Sequence, residues 1–401
     1  MTIHLKTANV VGFHPVAGEI MERAQTVAAV AAQWADEVDR DGRFPAEAMA
    51  AAREQGLLGL MAPRSLGGEE ASVSQIAEVC YTLGRACAST AMIYAMHQVK
   101  VACVVRHGLG DAWQETFIRR LIAEQLLVAS STTEGQGGGN IRSSEAPIER
   151  DGDRVSLERA ASVISYGEAA DAIVSTARRD ADAGASDQIL AVFLKADYSL
   201  ERTLEWDTLG MRGTCSAGFT LRAQGDASQI LAEPYETIHA QTMVPCAHLM
   251  WGGTWAGIAA GAVERARKYL RKAVRGGAGE LPPGAAHYTK ATSSLRNLRA
   301  LLCASLDRYA ALQGDGAALS SVGFQTEISL LKVEASELAV ATVLHALRAC
   351  GLSGYRNDTD VSIGRALRDV LSSPIMINND RILAGLGAAA VMADAPATLR
   401  G

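Results

Sequence analysis

The chain has 401 residues, with 38 Lys+Arg against 44 Asp+Glu, a net charge of −6 and 20% charged content. At roughly 100–200 residues per domain, that length allows two or three units with ample core. The mild acidity and the lack of a dense Lys/Arg run argue against nucleic-acid and membrane partners. The longest apolar stretches, such as 384–392, fall short of the ~20 residues a membrane span needs, and the first residues lack a charged segment followed by an apolar one, so a cytoplasmic protein is expected.

From 19 to 125 the chain is Ala-rich, with apolar residues at the three- and four-residue spacing of amphipathic helices. Arg43-Phe44-Pro45 opens one helix with Pro near its first turn, and Ala62-Pro63-Arg64-Ser65-Leu66-Gly67-Gly68 is a loop of helix breakers. Segments 71–86 and 89–107 read as two more helices. Near Leu127 the period changes. Short β-branched runs (154–157, 172–177, 188–194) are separated by Asp151-Gly152-Asp153 and Asp182-Ala183-Gly184-Ala185, which predicts a small β-sandwich or barrel with its last strand ending near Ile238. Helical periodicity then returns in four runs, 246–275, 287–313, 320–351 and 361–391. Runs of about 30 residues predict a long four-helix bundle. The predicted architecture is α+β: an N-terminal α-helical domain (1–126), a middle β domain (127–240) and a C-terminal helical bundle (241–401).

The cysteines (Cys80, Cys87, Cys103, Cys215, Cys246, Cys303, Cys350) are odd in number and scattered, with no CxxC, and the histidines are equally dispersed. Neither set has metal-ligand spacing, so no metal centre is expected and the thiols read as buried and reduced.

Motifs along this order resemble those of the acyl-CoA dehydrogenase family of flavoproteins. Ser131-Thr132-Thr133-Glu134 and the Gly-rich turn after it resemble the family's "TEPGAGSD"; Val163-Ile164-Ser165 resembles "WIT". Leu209-Gly210-Met211-Arg212-Gly213-Thr214 resembles "MGxRGS/T", and Gly351-Leu352-Ser353-Gly354-Tyr355 with Arg368-Asp369 resembles "GGxGY…RDA". The resemblance implies an acyl-CoA dehydrogenase-like fold, a homotetramer, and FAD as cofactor. It places Thr132 and Thr133 at the pyrimidine edge of the flavin and Ser165 near N5. Val163 stands where the family has a Trp walling the ring. Gly138 and Gly139 fall on the substrate side.

The departures from the family concern chemistry. Removing an α-proton from an acyl thioester needs a positioned base. At the two positions where the family carries its Glu, this chain aligns Ile377 and Ala247, with His248 beside the latter; Asp380 is the nearest acid downstream of Ile377. Of the residues that grip the dinucleotide half of FAD, Arg275 is displaced within its motif and Arg348 replaces a Gln, which brings FMN in as the alternative cofactor. The same fold serves two-component flavin monooxygenases, which lack the Glu and take reduced flavin from a separate reductase. His97, on a helix expected near the ring, is the candidate proton donor for that chemistry. The expected activity is therefore flavin-dependent oxidoreduction: acyl-CoA dehydrogenase-like oxidation of an acyl thioester, with reduced-flavin monooxygenation as the alternative and a non-catalytic member as a third reading. The catalytic candidates are His97 and Asp380, and His248 and Ile377 are expected to line the substrate pocket. Trp251 and Trp255 are assigned to bundle packing.

Overall fold

The computed structural model describes residues 18–135, 141–276 and 281–392. Five helices come first: α1 (Gly18–Asp41), α2 (Ala46–Glu54), α3 (Val73–Ala86), α4 (Ala88–Gly108) and α5 (Ala112–Glu124). Their starts are written locally. The Ser72 hydroxyl accepts the Gln75 N–H while Gln75 reaches back to the Ser72 N–H, a reciprocal cap on α3. The Asp111 carboxylate caps α5 one way, accepting the Gln114 N–H. α4 is buried on nearly every face because it lies between α3, the first strand and the long helix α7 described below.

The middle region forms two sheets from β1 (Val128–Ser131), β2 (Glu149–Asp151), β3 (Arg154–Ala161), β4 (Ala172–Arg178), β5 (Gln188–Leu194), β6 (Tyr198–Leu204) and β7 (Gly218–Asp226). One has the order β1-β4-β5, with β1 parallel to β4; the other is antiparallel, β2-β3-β7-β6. β3 alternates as a half-buried strand should, with Val155, Leu157, Arg159 and Ala161 inward. Arg159 is fully buried and joins the two sheets, donating to Thr176 Oγ1 at 3.0 Å and Ser144 Oγ at 3.3 Å, with the Glu134 carboxylate 3.6 Å away.

The C-terminal part comprises α6 (Tyr235–Ile238), a π-helical turn (His239–Met243), α7 (Val244–Gly276), α8 (Ala285–Leu312), α9 (Gly316–Ser320), α10 (Val322–Cys350), α11 (Leu352–Tyr355), α12 (Gly364–Val370) and α13 (Asn379–Met392). α7 crosses α3 closely because its crossing face lacks side chains. A Cβ on Gly257 would fall 2.2 Å from the Tyr81 carbonyl oxygen, and one on Gly253 2.7 Å from that of Ala77.

The structure corrects two expectations. The last strand ends at Asp226 rather than near Ile238, because Pro234 opens a helix that continues through the π turn into α7. The run 361–391 is not one helix: Pro374 and the left-handed Ile377 (φ 51°) separate α12 from α13. Among the described residues no helix is long and apolar enough to cross a membrane, no group of three or more ligating side chains could hold a metal, and all seven cysteines are free.

Candidate active site

A cavity of about 790 Å³ opens where the helical parts meet the sheets. α4 supplies one wall through Met92, Met96, Val99 and Lys100, at positions i, i+4, i+7 and i+8 of a single helix face. Ser130, Thr132 and Thr133 enter from the end of β1, and Ser162, Val163 and Ser165 from the segment after β3. The start of α7 contributes Ala247, His248 and Trp251, and the turn between α12 and α13 contributes Ile375, Met376 and Ile377.

Three hydroxyls form a directed chain at the cavity edge. Thr214 Oγ1 donates its one proton to the Met211 carbonyl oxygen at 2.8 Å, so it can only accept from Ser216 Oγ, also at 2.8 Å. Ser216 has then spent its proton, and Ser165 Oγ must donate to it at 2.7 Å. Ser165 is left with lone pairs alone for any further partner.

Buried ties fix the surrounding turns. Asp369 accepts the Met211 N–H at 2.7 Å, docking the Arg368-Asp369 motif onto the 209–214 motif. Burial holds the Asp369 carboxyl up at about 6. Lys332 of α10 donates to Asn379 Oδ1 at 2.6 Å and reaches the Ile377 carbonyl at 3.5 Å, so a strained β-branched residue is clamped from below. Glu134 receives the Ser144 hydroxyl and the Glu145 and Ala146 N–H groups, tying the loop after β1 to the 144–146 segment.

The charge in the cavity is one-sided. Lys100, Arg142, Arg368 and Arg381 line it, and among the described residues no Asp or Glu does. Arg368 is answered by Asp39. Lys100 is only 4% exposed, and burial pulls its ammonium down to about 8. His239, in the π turn, also lines the cavity, stacked edge-on to Tyr235 at 5.6 Å between ring centroids. Burial first, then the charges of Arg142, His248 and Lys100, push His239 down to about 3. His248 Nδ1 donates to the Ile328 carbonyl at 2.8 Å, which leaves Nε2 as the lone-pair nitrogen, and burial holds this ring neutral with a value of about 4.

The structure brings Thr132, Thr133, Val163, Ser165, His248 and Ile377 to this one cavity. It does not bring His97 there. His97 is fully buried on another face of α4, where Nδ1 accepts the Val128 N–H at 3.0 Å and Nε2 donates to the Leu58 carbonyl at 2.9 Å. Both nitrogens are engaged by backbone, which corrects its assignment as a proton donor at the ring. Asp380 stands exposed on the first turn of α13, off the cavity wall, so its assignment as a base is corrected too. Arg275 and Arg348 are exposed and lie outside the cavity; Arg348 adds its charge to that of Lys290 around the stacked pair His287 and His345. Gly138 and Gly139 lie outside the described residues. Trp251 is a cavity residue as well as a packing one, and its buried Nε1 has no partner among the described residues. Sequence reasoning missed Lys100 and His239. The available signal for Lys100 was a lone charge on the face of α4 that carries Met92, Met96 and Val99.

Comparison with known proteins places this chain among relatives. The family model described as the acyl-CoA dehydrogenase N-terminal domain matches residues 19–125, and that for the C-terminal domain matches 240–392. The chain is 26% identical over 351 residues to cyclohex-1-ene-1-carbonyl-CoA dehydrogenase of Geobacter metallireducens, covering 86% of this chain and 90% of that one. It is 24% identical over 357 residues to a probable acyl-CoA dehydrogenase of Mycobacterium tuberculosis, covering 88% of each. Among solved structures, FMN-bound TdsC, a dibenzothiophene monooxygenase from a Paenibacillus species, superposes with TM-score 0.81 at 19% identity over 94% of this chain and 98% of that one. Methanesulfinate monooxygenase of Pseudomonas fluorescens superposes with TM-score 0.80 at 21% identity over 96% and 98%. The two structural likenesses establish the fold.

Proposed function

The chain belongs to the acyl-CoA dehydrogenase family of flavin-dependent oxidoreductases, and we propose that it uses reduced flavin in this cavity to oxygenate a small substrate. Its sequence relatives support acyl-CoA dehydrogenase-like function, and its structural neighbours match the monooxygenase alternative. One observation carries our choice between them. Ala247 and Ile377, at the two family positions of the base, both line a cavity to which no described carboxylate contributes.

The residues present fit a flavin. Thr132, Thr133 and Ser165 make a polar edge, and Trp251 Nε1, without a partner among the described residues, is a buried donor for an acceptor. Reduced flavin, when bound, supplies two electrons to O₂, with one oxygen atom entering the substrate and the other leaving as water. This chain's own residues do the rest. Ser165, its proton committed to Ser216, offers an acceptor to a ring N–H, the group that distinguishes reduced from oxidised flavin at N5. Val163 leaves room beside the ring for substrate, and the Met and Ile walls exclude water. Reduced flavin implies a reductase as partner, and the family implies a homotetramer. The family implies FAD, with FMN as the alternative, and Arg275 and Arg348 lie outside the cavity that would hold the ring.

Anaerobic titration with oxidised and reduced FMN and FAD tests this reading. The reduced form should bind more tightly, and acyl-CoAs of short, branched and aromatic chain should leave bound oxidised flavin yellow. Bleaching by any of them overturns the proposal. It would favour acyl-thioester dehydrogenation, with His248 Nε2, beside Ala247, taking the proton; His248→Ala should then abolish the bleaching.

A further inference from the structure

We propose that Lys100 and His239 form a subsite for the anionic head of the substrate, a carboxylate or sulfonate carried on an apolar body. The inference rests on the reading of the cavity as the reaction chamber and adds the class of molecule that enters it.

A buried ammonium normally has a carboxylate beside it. Lys100 has none among the described residues: its Nζ meets only the Met243 thioether at 3.4 Å, and the Tyr235 hydroxyl already donates to that sulfur at 3.4 Å. A thioether is a weak acceptor, so a shared one leaves most of the ammonium unsatisfied. His239 sits in a π turn, a local irregularity of the helix that turns its ring into the cavity, and among the described residues that ring makes no hydrogen bond. Arg142, which also lines the cavity, adds positive potential. The walls nearest in sequence are apolar: Met96, Val99, Met243 and Val244. A ligand matching this environment has a compact anion for Lys100 and His239 and a hydrophobic remainder. An anion would also draw a proton onto His239 and convert two donors into charge-assisted ones.

The test compares 2-naphthoate with its neutral isostere 2-naphthamide, by tryptophan fluorescence, on the purified protein with the flavin it carries. Wild type should bind the acid about tenfold or more tightly than the amide at pH 7. Lys100→Met should abolish that preference while retaining amide binding; Lys100→Gln repeats the measurement in a polar background, and Lys100→Arg should keep the preference. Equal affinities in wild type, or a preference retained in both neutral variants, overturns the subsite. Release of flavin into the filtrate by naphthoate also overturns it, because the cation would then belong to the cofactor. None of these readouts needs turnover. Bleaching by an acyl-CoA would sink the oxygenation proposal and leave the anion preference to be judged on its own result.

Discussion

Replacing Lys100 with Met should stabilise the protein, and the gain should vanish at high pH. The folded chain holds this ammonium at about 8 against an ordinary 10.5, chiefly through burial. The unfolded chain thus binds a proton between those values that the folded chain has shed, and stability of the wild type rises with pH across that window. Below about pH 8 the destabilisation is nearly complete. The difference corresponds to roughly 3 kcal/mol at pH 7, about 2 at pH 9 and under ~1 at pH 10. Methionine keeps the stem length and apolar packing among Met96, Val99 and Met243 while removing the charge. Thermal melts of wild type and Lys100→Met, run in parallel from pH 7 to 10 without added anions, read the gap directly. The variant should melt several degrees higher at pH 7 and converge with wild type by pH 10. A gap that is absent at pH 7, or that stays constant with pH, would refute the picture of an uncompensated buried ammonium.

The buried imidazoles carry a dependence of the same sign in a lower window: His97, His239 and His248 are held near 4, 3 and 4, so only the unfolded chain takes up protons as pH falls below about 6.5. Asp369, raised to about 6, works against them between pH 6 and 4, one group against three, so the melting temperature should drop over that range. A flat profile would show that these rings are not buried neutral. Gly257→Ala drives a Cβ to 2.2 Å from the Tyr81 carbonyl and should cost about 3 kcal/mol by prising α7 from α3, whereas Gly323→Ala, with nothing within 4 Å, should not destabilise. Equal urea midpoints for the two variants would contradict the close crossing. Ser216→Ala breaks the hydroxyl chain and frees the Ser165 proton, so the preference for reduced over oxidised flavin should shrink; an unchanged affinity ratio would remove Ser165 from that role.

Much of the fold was legible because its periodicities are long. The helix read at 71–86 is Val73–Ala86, and the run 246–275 is Val244–Gly276. The misreadings lie where one local residue outweighs the period: Pro234 starting a helix where a strand was expected to end, and Pro374 with Ile377 breaking a run whose composition stays helical. The site was legible only through motif resemblance. Thr133, Ser165, His248 and Ile377 are far apart in sequence, and no spacing rule joins them. His97 shows the limit of placing a residue by its helix alone. Met96 faces the cavity, and one step of about 100° around α4 takes the next side chain onto the Leu58 and Val128 backbone.

The missing base and the buried lysine are two consequences of the same electrostatics. A carboxylate at either family position would put negative charge into the cavity that holds Lys100, where low dielectric makes opposite charges pair strongly. Negative charge there would offset part of the positive potential that Lys100 offers a ligand. With Ile377 and Ala247 in those positions, the positive potential of Lys100 stands uncancelled among the described lining residues and acts on whatever enters. A site of this sign suits electron-rich occupants, both a reduced flavin ring and an anionic substrate head, while none of its described lining residues is the carboxylate that acyl-thioester dehydrogenation needs. The charge of the cavity therefore links the proposed oxygen transfer to the choice of substrate.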